Sequence, residues 1–193
     1  MSQNVEIEFK NILSESEYGT LKKAFQIPDS QIFLQENHYF DTPEFGLKEQ
    51  NSALRIRKKQ AHYELTLKQP VEKGLLETNQ ELSESEVTLA LNDGILPSGE
   101  IKRILESIKI PLERIEYFGS LSTYRAQIEY KNGLLVFDHS VYLNTEDFEL
   151  EYEVQNYEAG KENFLLLLEQ YQIPNRKTKN KIQRFYDQKA QEK

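Results

Sequence analysis

Short segments that alternate apolar and charged residues with a period of two limit the fold of this chain more than any other feature. In VEIEFK, residues 5–10, the apolar side chains share one face of a strand, and the other face carries Glu6, Glu8 and Lys10. Side chains of a β-strand point alternately to opposite faces of the sheet, so a period of two indicates a strand. The charged face of such a strand meets either bulk water or a charged cavity.

Five later segments repeat this alternation: ALRIRKK, ELTLKQ, TYRAQIEY, LLVFDHS and FELEYEVQ. Their charged faces carry Arg55, Arg57, Lys68, Arg125, Asp138, Glu149, Glu151 and Glu153. The pair Asn132-Gly133 predicts a two-residue hairpin turn that joins strands 124–130 and 134–142.

Helices are predicted between these strands from capping signals and apolar spacing. Two capping boxes, Ser14 with Glu17 and Ser83 with Glu86, each precede residues with helical periodicity. Further helices are predicted after a cap at Ser98, from about residue 159 to 171, and from residue 177 to 188.

Composition excludes several classes of protein. The chain has no cysteine, which fits a reducing compartment and rules out disulfides and thiolate chemistry. Neither a signal peptide nor an apolar run long enough for a bilayer is present, so a cytoplasmic protein without membrane contact is predicted. The 24 basic and 32 acidic residues give a net charge of −8, which argues against binding a nucleic acid duplex. Local basic clusters remain able to bind small polyanions.

Like charges on one strand face indicate what such a cavity would bind. Three glutamates at alternating positions repel one another unless a cation lies between them, and Arg55 and Arg57 repel unless an anion does. The alternative is an ordinary antiparallel sheet with one face in water. Because both patterns occur in one chain, we favour a face built around a metal and a polyanion. Carboxylates suit Mg²⁺ or Mn²⁺, and arginine suits phosphate.

The order of these motifs resembles the CYTH superfamily, the triphosphate tunnel metalloenzymes. VEIEFK matches the E-x-E-x-K opening of that family, and the later matches follow in the family's order: HYFDT, ALRIRKK, ELTLKQP, TYRAQIEY, VFDHSVYL, ELEYEV and RKTKNKIQRFY. The resemblance implies an α+β fold: a closed eight-stranded antiparallel β-barrel that forms a tunnel, with helices packed outside and a C-terminal helix. It also implies that residues 1–193 form a single domain.

The resemblance further implies roles for individual residues. Glu6 and Glu8 would hold a metal or orient the attacking water, with Lys10 beside them as a catalytic and phosphate-binding residue. The Mg²⁺ or Mn²⁺ ligands would be Asp138, Glu151 and Glu153, with Glu149 as an addition or replacement. The phosphate-binding residues would be Arg55, Arg57, Lys68, Arg125, Lys181 and Lys179.

The function that follows is divalent-metal-dependent hydrolysis of a small triphosphate, with inorganic tripolyphosphate ahead of nucleoside or thiamine triphosphate. Two alternatives stay open: a class IV adenylyl cyclase that forms cyclic AMP and pyrophosphate, and a non-catalytic module that binds polyphosphate or nucleotides. A homodimer is compatible with each of them. No zinc-ligand spacing, phosphate-binding glycine loop or nucleophile-elbow motif occurs in the sequence.

Overall fold

A computed structural model of the chain describes residues 2–191, and its eight strands form a closed antiparallel barrel in the order β1-β5-β4-β3-β2-β6-β7-β8. The strands are β1 (Ser2–Leu13), β2 (Phe33–Asp41), β3 (Ala53–Lys59), β4 (His62–Val71), β5 (Gly74–Leu82), β6 (Glu116–Tyr130), β7 (Gly133–Tyr142) and β8 (Thr145–Val154). The predicted α+β barrel is therefore confirmed.

The described residues also form six α-helices and two short 3₁₀ turns, at Asp29–Gln31 and Leu112–Arg114. The helices are α1 (Glu15–Ala24), α2 (Gly46–Glu49), α3 (Glu84–Asp93), α4 (Glu100–Ser107), α5 (Tyr157–Gln170) and α6 (Lys181–Gln191). None of the helices in residues 2–191 has the length and apolar character needed to cross a bilayer.

The chain divides into two compact units, each with its own hydrophobic core. The first unit contains the chain up to Val5 and Gln35–Leu121, and the second contains Glu6–Leu34 and the chain from Ser122 onward. The assignment of the whole chain to a single domain stays a prediction.

In the first unit, helices cover the apolar face of β3 and β4. Leu54 and Ile56 of β3 are almost fully buried with Leu65 and Leu67 of β4, in one core with residues of α3 and α4. Because strand side chains alternate, Arg55 and Arg57 of β3 and Lys68 of β4 point to the opposite face. Burial of the leucine face therefore fixes the direction of the charged face.

In the second unit, α1 and α5 cover the apolar face of β7 and β8 in the same way. Phe137 of β7 and Leu150 and Tyr152 of β8 are buried in one core with Leu21 of α1 and Phe164 of α5. The alternating residues of β7 and β8, among them Asp138, Glu149 and Glu151, lie on the other face.

Helix ends agree with the sequence where capping side chains are present, and differ where they are not. The capping boxes at Ser14 and Ser83 are both formed. The predicted cap at Ser98 is wrong, since α4 follows Gly99 and has no side-chain cap. The predicted helix from residue 177 is also wrong at its start, because α6 begins only at Lys181.

The predicted hairpin turn is displaced by one residue. Tyr130 of β6 pairs with Gly133 of β7, so the turn residues are Lys131 and Asn132, with φ of 42° and 62°. Two positive φ values are what a type I′ turn requires. Gly133 serves a different purpose: a Cβ at this position would lie 2.6 Å from the backbone oxygen of Glu153 and 2.6 Å from the ring of Tyr152.

An extended segment before α6 is attached to the end of β1. Asn11 accepts a hydrogen bond from the backbone N–H of Arg176 at 2.6 Å, and the backbone N–H of Ile12 donates to Thr178 Oγ1 at 2.9 Å. The guanidinium of Arg176 donates to both carboxylate oxygens of Glu17, each at 2.8 Å. These contacts determine where α6 begins.

Gly133→Ala is expected to lower the free energy of unfolding by about 1–3 kcal/mol, because the added methyl group collides with backbone that has no space to move. Gly19→Ala in α1 is the control. No atom lies within 4 Å of the added Cβ there, and the change should stabilise the helix by up to about 1 kcal/mol. Urea denaturation of both variants measures the difference. Equal effects of the two substitutions would contradict the close approach at Gly133.

The contact between Glu17 and Arg176 should make stability depend on pH. The hydrogen bond that Glu17 accepts from Arg176 is the main reason that the pKa of Glu17 lies below 4.5. Since the pKa is lower in the folded state, the stabilisation is complete above the unfolded pKa and is lost as the pH falls through the folded one. The stability difference between the native protein and Glu17→Gln should therefore shrink between about pH 5 and pH 2, as denaturation at a series of pH values would measure. Glu15→Gln, an exposed change in the same helical turn, should show a smaller dependence, and a constant difference for Glu17→Gln would exclude the effect.

Candidate functional site

Three buried acidic residues share one face of β7 and β8, and we call them the carboxylate cluster: Asp138, Glu149 and Glu151. Asp138 is paired with Glu149 in the register of the two strands, and Glu151 follows two residues later on the same face. The exposed fractions of the three residues are 0%, 0% and 6%. Buried carboxylates are costly unless cations and hydrogen bonds compensate them, so the surrounding cations are essential.

Arg125 compensates two members of the cluster from the neighbouring strand β6. Its Nε and Nη2 donate to Asp138 Oδ1 and Oδ2 at 2.7 and 2.6 Å, a bidentate pair. Nη2 also donates to Glu151 Oε2 at 2.9 Å. The planar guanidinium therefore fixes two carboxylates at once.

Lys181, the first residue of α6, contacts all three members of the cluster. Its Nζ lies 2.7 Å from Asp138 Oδ2, 3.0 Å from Glu149 Oε1 and 2.5 Å from Glu151 Oε1. The side chain of Lys181 is 13% exposed. One ammonium group thus occupies the position on which three carboxylates converge.

Arg184 lies one turn further along α6 and was not assigned to the site from the sequence, which placed it only on a basic helix face. Its Nε and Nη2 donate to Asp147 at 2.8 and 3.0 Å, and Nη1 lies 2.5 Å from Glu149 Oε2. Asp147 also accepts a hydrogen bond from Tyr142 Oη at 2.7 Å. The spacing of three residues from Lys181 on a helix is the signal that would have indicated it.

The same cations separate the pKa values of the carboxylates. Burial raises the pKa of Asp138 and Glu151, but Arg125 and Lys181 outweigh it and hold both pKa values below the usual range. For Glu149, burial dominates over the opposing effect of Lys181 and raises the pKa to about 7. Asp138 and Glu151 are therefore ionised at neutral pH, whereas Glu149 is close to its titration point.

The charged face of β1 lies beside the cluster, as the register of β1 and β8 shows. Lys10 is opposite Glu151, and Glu8 is opposite Glu153. Lys10 forms an ion pair with Glu8. Burial alone would lower the pKa of Lys10, but the charges of Glu8 and Glu151 outweigh burial and raise it. Burial, followed by the charge of Glu6, raises the pKa of Glu153 to about 7. Glu8, Lys10 and Glu153, all predicted site residues, thus lie on strands β1 and β8 beside the carboxylate cluster.

The first unit has a separate basic group on the charged faces of β3, β4 and β5. Lys68 of β4 forms an ion pair with Glu77 of β5, and Arg55 Nη2 lies 3.9 Å from the same carboxylate. Arg57 donates from Nε to Asn37 Oδ1 at 2.9 Å. Sequence reasoning missed Glu77, although its alternation with Asn79 and Glu81 on β5 places it on the charged face.

Arg55 and Thr66 provide polar atoms that suit an anion. The two residues are paired in the register of β3 and β4, with exposed fractions of 9% and 0%. Within residues 2–191, Arg55 Nε and Thr66 Oγ1 are buried without a hydrogen-bond partner. A buried donor of this kind costs free energy until a ligand or water satisfies it.

Lys179 is a predicted site residue of the second unit that the structure does not bring to the carboxylate cluster. Its side chain is 65% exposed, and Nζ lies 2.6 Å from Asp187 Oδ2 of α6. Lys181, two residues later, reaches the cluster instead.

The oxygen atoms of the carboxylate cluster are the candidate ligands for a divalent metal. Carboxylate oxygens are the ligands that Mg²⁺ and Mn²⁺ prefer, and the cluster already surrounds one cation, the Lys181 ammonium. Across residues 2–191, however, no three acidic or histidine side chains stand ready as a metal site. Asp138, Glu149 and Glu151 therefore offer the oxygen donors that a divalent ion prefers, but their present arrangement surrounds an ammonium group.

Comparisons with known proteins agree with these motifs. The family model for the CYTH domain matches residues 4–186. YjbK of Bacillus subtilis, a candidate triphosphatase, is 48% identical over 189 residues, which cover 98% of each chain. The crystal structure of a candidate adenylate cyclase from Bacillus halodurans is 45% identical and has a TM-score of 0.93, covering 96% of this chain and 100% of the other.

A more distant solved structure shows the same fold. The candidate adenylyl cyclase HpAC1 from Hippeastrum, whose dominant activity is that of a triphosphatase, is 24% identical with a TM-score of 0.78. The match covers 94% of this chain and 95% of that one. From the family match over nearly the whole chain, together with these relatives, the protein belongs to the CYTH domain family.

Proposed function

We propose that the protein hydrolyses a small triphosphate in a reaction that depends on a divalent metal, with inorganic tripolyphosphate as its first substrate. The observation that carries the proposal is the carboxylate cluster, which is buried and held by Lys181 and Arg125. The protein's relative YjbK, named as a candidate triphosphatase, supports the same reaction class.

Phosphate binding is assigned to the basic residues of both units. In the second unit these are Lys10, Arg125 and Lys181, and in the first unit Arg55, Arg57 and Lys68. Phosphoryl transfer requires little covalent chemistry from a protein, so positioning and charge neutralisation account for most of the catalysis. The buried Nε of Arg55, which lacks a partner within residues 2–191, would be satisfied by a phosphate oxygen.

A divalent ion is assigned to the acidic residues of the second unit. Asp138, Glu149, Glu151 and Glu153 would hold it, and when bound it would neutralise charge on the phosphate oxygens and polarise the phosphorus. Glu6 and Glu8 would orient the attacking water or add a ligand. Lys10 and Glu8 form an ion pair, and the register of β1 and β8 places them opposite Glu151 and Glu153.

A second candidate function is the cyclisation of ATP, because the relative from Bacillus halodurans is named as a candidate adenylate cyclase. In that reaction the ribose 3′-oxygen attacks the α-phosphorus and pyrophosphate leaves. The charged groups described above serve either reaction, since both require binding of a triphosphate and stabilisation of its charge. The third candidate is a module that binds polyphosphate without turning it over.

The purified protein should release orthophosphate from tripolyphosphate in the presence of Mg²⁺ or Mn²⁺, and a metal chelator should abolish the release. The assay compares tripolyphosphate, ATP and thiamine triphosphate with each metal, and follows orthophosphate, pyrophosphate and cyclic AMP. Cyclic AMP with pyrophosphate would replace the proposal with the cyclase. Tight binding without any product would replace it with the binding module.

Glu151→Gln should lower kcat by about a hundredfold or more, because it removes one of the carboxylates assigned to hold the divalent ion that would stabilise the transition state. Lys68→Met should chiefly raise KM for tripolyphosphate, since it removes a phosphate contact. The control is Glu44→Gln, whose carboxylate is 58% exposed and pairs with Arg114, and which should leave both constants within about twofold. Circular dichroism verifies the fold of each variant. If Glu151→Gln and Lys68→Met behaved like the control, these faces would be ordinary solvated surfaces.

Cytoplasmic location, the absence of nucleic acid and membrane partners, and a homodimer stay predictions, as does the role of Lys179.

A further inference from the structure

Lys181 occupies the position at the carboxylate cluster where a divalent ion would bind. Its Nζ lies within 2.5–3.0 Å of oxygens from Asp138, Glu149 and Glu151, so each carboxylate already has a cation. Ammonium groups and divalent ions bind the same oxygen atoms. Mg²⁺ needs them at about 2.0–2.1 Å, and its double charge repels an ammonium at such close range.

Lys181 and a divalent ion therefore exclude each other at the carboxylate cluster. The other cations are less exchangeable, because Arg125 is held by a bidentate pair with Asp138 and Arg184 by two hydrogen bonds to Asp147. Lysine has a single ammonium on a flexible four-carbon stem, which can turn away without moving the helix. Arg184, in the next turn, keeps α6 attached to β8 while Lys181 turns.

An ammonium that leaves three carboxylates needs another anion. A triphosphate provides one, since its oxygens are good acceptors for lysine. We propose that Lys181 is an internal counterion that competes with the divalent metal and is transferred to the triphosphate, so that metal and triphosphate bind cooperatively. The proposal rests on the proposed function for the identity of the anion, but the competition between Lys181 and the metal does not depend on turnover.

The test measures Mn²⁺ binding in the absence of any triphosphate, by calorimetry and by the electron paramagnetic resonance signal of free Mn²⁺. Lys181→Met should bind Mn²⁺ at least about tenfold more tightly than the native protein, because a positive charge is removed from the centre of the cluster. Lys179→Met is the matched control. It makes the same change in net charge two residues away, at an exposed side chain, and should alter the affinity by less than about twofold.

Thermal unfolding supplies a second readout that covers loss of folding. Without metal, Lys181→Met should have a lower Tm than the native protein, since three buried carboxylates lose their shared cation. Mn²⁺ should raise the Tm of Lys181→Met by more than it raises the Tm of the native protein. If Lys181→Met folds only with Mn²⁺ present, the proposal is supported. If it folds neither with nor without millimolar Mn²⁺, the metal does not replace the ammonium and the proposal is overturned.

Adding imidotriphosphate, in which NH groups replace the bridging oxygens so that the compound resists hydrolysis, tests the transfer of Lys181 to the triphosphate. It should strengthen Mn²⁺ binding by a larger factor in the native protein than in Lys181→Met, after correction for the Mn²⁺ complex formed in solution. Equal Mn²⁺ affinities of the native protein and Lys181→Met would contradict the competition between Lys181 and the metal, whether or not the protein hydrolyses a triphosphate. Failure of the proposed function would instead appear as no product from the native protein, with the affinity difference unaffected.

Discussion

Burial of three carboxylates on one face of β7 and β8 is the constraint on which the second unit depends. Asp138 and Glu149 are fully buried and Glu151 nearly so, and their mutual repulsion is offset by Arg125 from β6 and Lys181 from α6. Lys181 comes from a helix distant in sequence and Arg125 from the strand paired with β7, so the charges hold together the strands and the helix that carry them. Packing of the apolar face against α1 and α5 determines the direction of the charged face.

Much of this arrangement could be predicted because a strand has only two faces. Once the apolar residues of β3 or β8 are assigned to the core, Arg55 and Glu151 must point the other way, and this needs no knowledge of the neighbouring strands. Contact partners are different, since they depend on register and on helix starts. Glu77 meets Lys68 only through the pairing of β4 with β5, and Arg184 reaches Asp147 only because α6 begins at Lys181.

Local signals failed where a tertiary contact overrides them. Asn132-Gly133 is a strong turn signal, yet Gly133 is required by the approach of Tyr152 and Glu153, and Lys131 takes its place in the turn. The residues before Lys181 have a helical pattern, but Arg176 and Thr178 are bonded to β1 and stay extended. Ser98 has the right chemistry for a cap, and α4 nevertheless starts after Gly99.

Translation makes the acidic strands of the second unit before it makes their counterion. Asp138, Glu149 and Glu151 emerge from the ribosome well ahead of Lys181, whereas the segments of the first unit are complete at Leu121. Arg125 precedes these residues and can pair with Asp138 and Glu151, but the cation shared by all three carboxylates is missing until α6 arrives. Formation of the complete carboxylate cluster therefore waits for synthesis of α6.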